Sequence, residues 1–155
     1  MSTDNSRFAE FVAECCKVLE LEAPAATGDS HMFQVGDRWI ELKADDSGEG
    51  VSFAAMVYMK PADTEIRADL VASFNVHYLF NGGFSLFFDT ATDRLYLCRP
   101  HRLDTLEARN IREELIAFAD MAAHAGTWYI RSSEEQAAGT RAALPSGETG
   151  NFIEV

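Results

Sequence analysis

The sequence predicts an α+β fold, with three helices and a mainly antiparallel five-stranded sheet in the order α-β-β-β-α-β-β-α. Three observations carry that expectation. Phe84, Leu86 and Phe88 alternate with Ser85, Phe87 and Asp89, and Leu95 and Leu97 alternate with Tyr96 and Cys98. This period of two on either side of the polar segment 90–93 marks a hairpin. Asn81-Gly82-Gly83 directly precedes it and supplies positions where a helix stops, because a residue without Cβ tolerates positive φ. Near both ends of the chain, apolar residues recur at steps of three and four, the period of a helix face.

In chain order, Phe8, Phe11, Val12, Cys15 and Leu19 share one face of a first helix over residues 5–21, capped by Asn5 or Ser6 and ended by Pro24. After a loop at 23–30, residues 32–35 lead through Gly36-Asp37 into a second strand at 38–44. There Ile40 and Leu42 face one way and Trp39, Glu41 and Lys43 the other. The turn DDSGEG follows. Residues 51–60 are apolar at odd and even positions alike, which predicts a strand covered on both faces, with Trp39 and Tyr58 on the side away from Ile40 and Leu42. Pro61 and Asp63 suit the start of a second helix, whose stripe is Ile66, Leu70, Phe74 and His77 or Tyr78. Pro100 has no N–H for a ladder and is expected to end the last strand. Asp104 with Glu107 resembles a capping box, opening a third helix that carries Ile111, Leu115, Phe118, Ala122, Ala125 and Tyr129. Residues 1–131 thus read as one domain, and 132–155, rich in Gly, Ser, Glu and Ala, as a flexible tail.

Composition narrows the function classes. The net charge is −12, a field that repels phosphate backbones and anionic membrane surfaces, so neither nucleic acid nor a membrane is an expected partner. No apolar run approaches the ~18 residues of a membrane span. Three cysteines, two of them adjacent, make no disulfide framework, which places the chain in a reducing cytoplasm. The four histidines lie far apart, with no HxxxH or HExxH. Cys98-x-x-His101 has ligand-like spacing and lacks the second pair a tetrahedral site needs. Gly82-Gly83 precedes a strand instead of a helix, so it is no phosphate cradle. No GxSxG elbow occurs. Neither catalysis nor a cofactor or metal is expected. What the chain has in excess is apolar surface, and that marks an interface.

The succession FN…NGGFSLFFDTATDRLYLCRP…LDTLEARNIREELIAFADMA resembles the class I type III secretion chaperones, the Tir-chaperone group, over about residues 6–131. In that family a second helix ends near an asparagine, matched by Asn75, and a Leu-Asp pair, matched by Leu103-Asp104, introduces the last helix. The resemblance implies a non-enzymatic, cytoplasmic homodimer. It would bind the extended N-terminal segment of a secreted effector, keep it soluble and export-competent, and leave release to a separate export ATPase. By the same analogy the effector groove falls on Phe8, Phe11, Val12, Cys15, Leu19, Trp39, Met56 and Tyr58. The dimer contact falls on Leu70, Phe74, His77, Tyr78 and Phe80. Two other readings stay open at this point: a chaperone-like adaptor or regulatory domain without a secretion client, and a small-molecule-binding domain using the Trp39/Tyr58 face.

Overall fold

The structure, a computed structural model, describes residues 6–142. Helix α1 (Ser6–Val18) is followed by strands β1 (Ser30–Val35), β2 (Arg38–Ala44) and β3 (Gly50–Met59), helix α2 (Ala68–Tyr78), strands β4 (Ser85–Asp89) and β5 (Arg94–Arg102), a 3₁₀ turn at Ala108–Asn110, and helix α3 (Ile111–Ala142). All strand pairs are antiparallel, in the order β1-β2-β3-β5-β4. The element order and the hairpin around residues 90–93 agree with the sequence.

One face of the sheet carries Phe33, Ile40, Leu42, Phe53, Leu86, Leu95 and Leu97, all buried. Helices α1 and α3 cover that face. Phe8, Val12 and Cys15 of α1 and Ile111, Leu115, Phe118, Ala122, Ala125 and Tyr129 of α3 are sealed inside. Full burial of each larger side chain stabilises the fold by roughly 1.5–3 kcal/mol. Phe118 packs edge-on against Phe53, with ring centroids 5.7 Å apart.

A bulge in β3 settles a side-chain assignment that simple alternation misses. Met56 pairs with Tyr96 while Tyr58 pairs with Leu95, so Val57 is an extra residue without a partner. The insertion rotates Tyr58 onto the helix-covered face, where its ring lies 5.0 Å from that of Tyr129. The expectation that Tyr58 shares a face with Trp39 is therefore corrected. Helix α3 crosses the bulge at Gly126, where a Cβ would stand 2.7 Å from the Val57 carbonyl oxygen. Only a residue without a side chain permits that approach. The expectation that β3 is covered on both faces also changes, because Met56 is exposed on the far side.

Helix α2 lies along the β4 edge. Its Asn75 carboxamide copies a neighbouring strand, with Nδ2 donating to the Leu86 carbonyl at 3.0 Å and Oδ1 accepting from the Leu86 N–H at 2.6 Å. Phe74 is buried against Tyr78 and Trp128. At the other end of the helix, the Arg67 N–H donates to the Tyr129 hydroxyl at 2.9 Å. Gly82 and Gly83, at φ +140° and +73°, then turn the chain into β4.

Four boundaries differ from expectation. Helix α1 ends at Val18, ahead of Pro24, because Glu20 takes a left-handed conformation (φ +59°) and the Leu21 N–H closes onto the Cys16 carbonyl. Pro61 forms a turn with Thr64, whose N–H and hydroxyl both donate to its carbonyl, so α2 begins only at Ala68. Asp104 pairs with Arg102 instead of capping a helix, and the 3₁₀ turn separates it from α3. Strand β5 runs through Pro100 to Arg102, since β4 starts opposite Cys98 and nothing on that side requires the missing N–H. Beyond these, α3 continues through residues 132–142, where a tail was expected. Arg67 of the α2 approach bonds to Gln136 there, and the Ser133 hydroxyl donates to the Tyr129 carbonyl. Residues 143–155 of the expected tail lie outside the described residues.

The Asn75→Leu variant removes both bonds to Leu86 and leaves a part-buried N–H and C=O unpartnered. We expect a loss of about 2–4 kcal/mol of stability, read as a lower urea midpoint at unchanged slope.

Candidate functional site

The two sheet edges differ. Asn75 occupies the β4 edge, whereas the β1 edge has no neighbouring strand among the described residues. The Ala44 N–H donates to the Asp29 carbonyl at 2.8 Å, which makes Asp29 and Ala44 a hydrogen-bonded pair. Alternation in an antiparallel ladder then directs His31, Phe33 and Val35 toward β2. It leaves the backbone N–H and C=O of Ser30, Met32 and Gln34 pointing outward.

A groove of about 310 Å³ runs beside this edge on the helix side. Leu19 and Leu21 at the end of α1 form one wall, Arg112, Leu115 and Ile116 at the start of α3 the other, and Phe33 and Val35 the floor. The left-handed closure of α1 is what turns Leu21 toward it. Leu21 and Ile116 remain exposed. A free ladder edge next to an apolar trough suits an extended peptide, whose backbone bonds to the edge while alternate side chains enter the trough.

Two more apolar surfaces are bare. On the uncovered sheet face, Met56, Tyr96 and Phe87 sit on successive strands, Phe87 stacked on Tyr96 at 5.5 Å. The register of β2 on β3 brings Trp39, 55% exposed, into the same row. At the end of α2 and in the turn that follows it, Val76 (72% exposed), Leu79 and Phe80 (84%) follow one another at helical spacing on the side turned away from Leu70 and Phe74.

The sequence-derived site residues divide accordingly. Phe8, Phe11, Val12 and Cys15 are core residues of α1, and only Leu19 of that helix reaches the groove. Trp39 and Met56 are on the open sheet face; Tyr58 is on the opposite one. The Trp39/Tyr58 face of the small-molecule reading therefore does not exist as a single surface. Of the residues expected on the second-helix contact, Leu70 and Phe74 are buried within the chain, Tyr78 is half-buried against Phe74, and His77 and Phe80 are exposed. Val76, Leu21, Ile116 and Arg112 were not expected at any site. The i, i+3, i+4 spacing of Val76, Leu79 and Phe80 was visible in the sequence. The groove residues come from three separate elements and left no such trace.

No chemistry gathers at these surfaces. Cys98 and His101 lie on opposite faces of β5, Cys98 level with Ala54 and His101 packed on Phe53 at 4.5 Å. Burial pushes the Cys15 thiol up to about 12, with Cys16 and Glu14 adding to the effect, and the Cys98 thiol up to about 11. Burial also lowers His31 and His101 below the ordinary imidazole value, with Arg99 adding to the shift at His101. Among the described residues no group of three or more His, Cys, Asp or Glu side chains is placed to hold a metal ion. No helix there is long and apolar enough to cross a membrane.

No protein-family model matches the sequence, and neither does any curated protein. Solved structures do match. A chain of the HopA1–SchA chaperone–effector complex superposes with a TM-score of 0.65 at 12% identity, over 82% of this chain and 98% of that one. A chain of the ExsC–ExsE complex gives 0.67 at 17% identity, over 81% and 95%. A chain of the heterodimeric ExoU–SpcU complex, from the type III secretion system of Pseudomonas aeruginosa, gives 0.54 at 14% identity, over 79% and 94%. The chain has the type III secretion chaperone fold that its sequence resembled.

Near pH 8, a thiol raised to about 11 is ionised in roughly one molecule in a thousand. Ellman's reagent should therefore react slowly with the native chain and titrate three thiols after denaturation in guanidinium. A rapid native equivalent would show an activated cysteine.

Proposed function

We propose that this chain is a class I type III secretion chaperone, a cytoplasmic homodimer that acts by binding and not by catalysis. It takes the extended N-terminal segment of a secreted effector and keeps that segment soluble and ready for export. The observation that carries this reading is the free β1 edge lying beside an apolar groove, within a fold shared with proteins solved in chaperone–effector complexes. The effector segment adds as a sixth strand along Ser30–Val35. Its alternate side chains fill the trough between Leu19/Leu21 and Ile116, and others reach Met32 and Trp39 on the open face. A net charge of −12 keeps the loaded complex dispersed while an unfolded guest is carried. Neither metal nor nucleotide is required, and release belongs to a separate export ATPase.

The homodimer is assigned to the bare side of α2 and the neighbouring hairpin, with Val76, Leu79, Phe80 and Phe87 at its centre and His77 beside them. Burying Val76, Leu79 and Phe80 contributes roughly 1.5–3 kcal/mol each, on a scale that supports association. Leu70 and Phe74 serve this contact indirectly, by fixing α2 to its own domain.

Two variants test the surfaces separately. Phe80→Glu sits at an exposed position and spares the core, so the chain should fold normally and its mass by light scattering should halve. An unchanged mass removes α2 from the interface. Met32→Pro deletes an outward N–H on an edge strand, where proline is tolerated. In an array of N-terminal segments of secreted proteins from the source organism, one or a few should bind the native chain, and Met32→Pro should weaken that binding at least tenfold. Binding that ignores Met32→Pro rejects strand addition at β1.

A further inference from the structure

The groove beside β1 contains one cation. Arg112 stands on its α3 wall with Ile116 one turn away, exposed and with no ion pair among the described residues. Two carboxylates close to it in sequence pair with other residues, Glu114 with Arg99 at 3.3 Å and Glu107 with Arg109, while Glu113 beside it makes no ion pair among the described residues. The remaining groove residues, Leu19, Leu21, Phe33, Gln34, Val35, Gly36, Leu115 and Ile116, carry no charge. An unengaged guanidinium on the wall of an apolar trough, in a chain of net charge −12, discriminates between guests. A strand laid over it strips away part of its water, which strengthens attraction to a carboxylate and makes a second cation costly.

The geometry points to a selectivity device: the guest strand accepted at β1 presents apolar side chains to the groove and one carboxylate, Asp or Glu, to Arg112. The planar guanidinium fork matches a carboxylate in two hydrogen bonds, and water-mediated contact with a neutral side chain does not replace them. The partner is thus a mostly apolar strand with a single inward acid, although the protein is itself strongly acidic and its overall field favours basic guests. Local and global electrostatics select opposite signs, and the local one acts only on the residue that docks in the groove. This inference rests on the strand-addition reading above.

The test is a selection from a display library of random peptides about fifteen residues long, on the immobilised full-length chain, followed by sequencing of the enriched pool. The expected pool alternates apolar residues and favours Asp or Glu over Lys or Arg by about tenfold at one fixed groove-facing position. With Arg112→Glu that preference reverses, and with Arg112→Gln it disappears while the apolar alternation persists. Arg112 is exposed in the first turn of α3, where an acidic residue is compatible with the helix, and the glutamine variant provides a second check. Alternation without a charge preference on the native chain overturns the role of Arg112 and leaves strand addition standing. A pool without alternation, or one unchanged by Met32→Pro, overturns strand addition itself.

Discussion

A β-sheet ends in two rows of backbone N–H and C=O groups, and each row has to be paired, covered or offered to something else. This chain treats its two rows differently. At β4 a single carboxamide, that of Asn75, bonds both backbone groups of Leu86 and holds α2 against the strand. At β1 no such cover exists among the described residues, and the trough beside it is mostly apolar, with Arg112 as its one charged side chain. With Asn75 occupying Leu86 on β4, the more open row is the one at β1. The orientation of α2 follows from the same contact, since a helix tied at Asn75 buries Leu70 and Phe74 and necessarily turns Val76, Leu79 and Phe80 outward.

Packing on the covered face sets where the other aromatic residues go. The extra residue at Val57 would disrupt a flat strand, but α3 uses it, passing over the bulge at Gly126. Tyr58 and Tyr129 meet there, and the Tyr129 hydroxyl receives the Arg67 N–H that starts α2. Sheet, third helix and second helix are therefore joined at one corner. The apolar residues of the far face, Trp39, Met56, Tyr96 and Phe87, have no counterpart helix among the described residues.

Charge and burial divide the labour on the surface. The net charge of −12 acts over a Debye length, while the bare apolar patches carry little charge of their own. A monomer in which Phe80 is 84% and Val76 72% exposed keeps substantial apolar area in water. Contiguous exposed apolar area of this kind marks an interaction surface. Burial raises both the Cys15 thiol inside the core and the half-buried Cys98 thiol on β5, so neither is activated.

The order of elements was legible in the sequence because it depends on local periodicity. The alternation at Phe84–Phe88 and Leu95–Cys98, the glycines at 82 and 83, and the steps from Ile111 to Tyr129 each encode backbone geometry within a few residues. Asn75 was visible as a likeness and not as an edge cover, because its partner Leu86 lies eleven positions on. The apolar stripe of α1 was legible as a stripe, yet nothing in it said whether a core or a guest would cover it; the fold put Phe8, Phe11, Val12 and Cys15 inside. Periodicity cannot register a bulge, so Tyr58 was placed on the wrong face. It also cannot bring Leu21, Phe33, Arg112 and Ile116 together. The sequence by itself determined which segments become helix and strand and that apolar surface is abundant, since both are short-range or compositional properties. Tertiary structure alone decided which of that surface stays open, because exposure is a property of how distant elements pack.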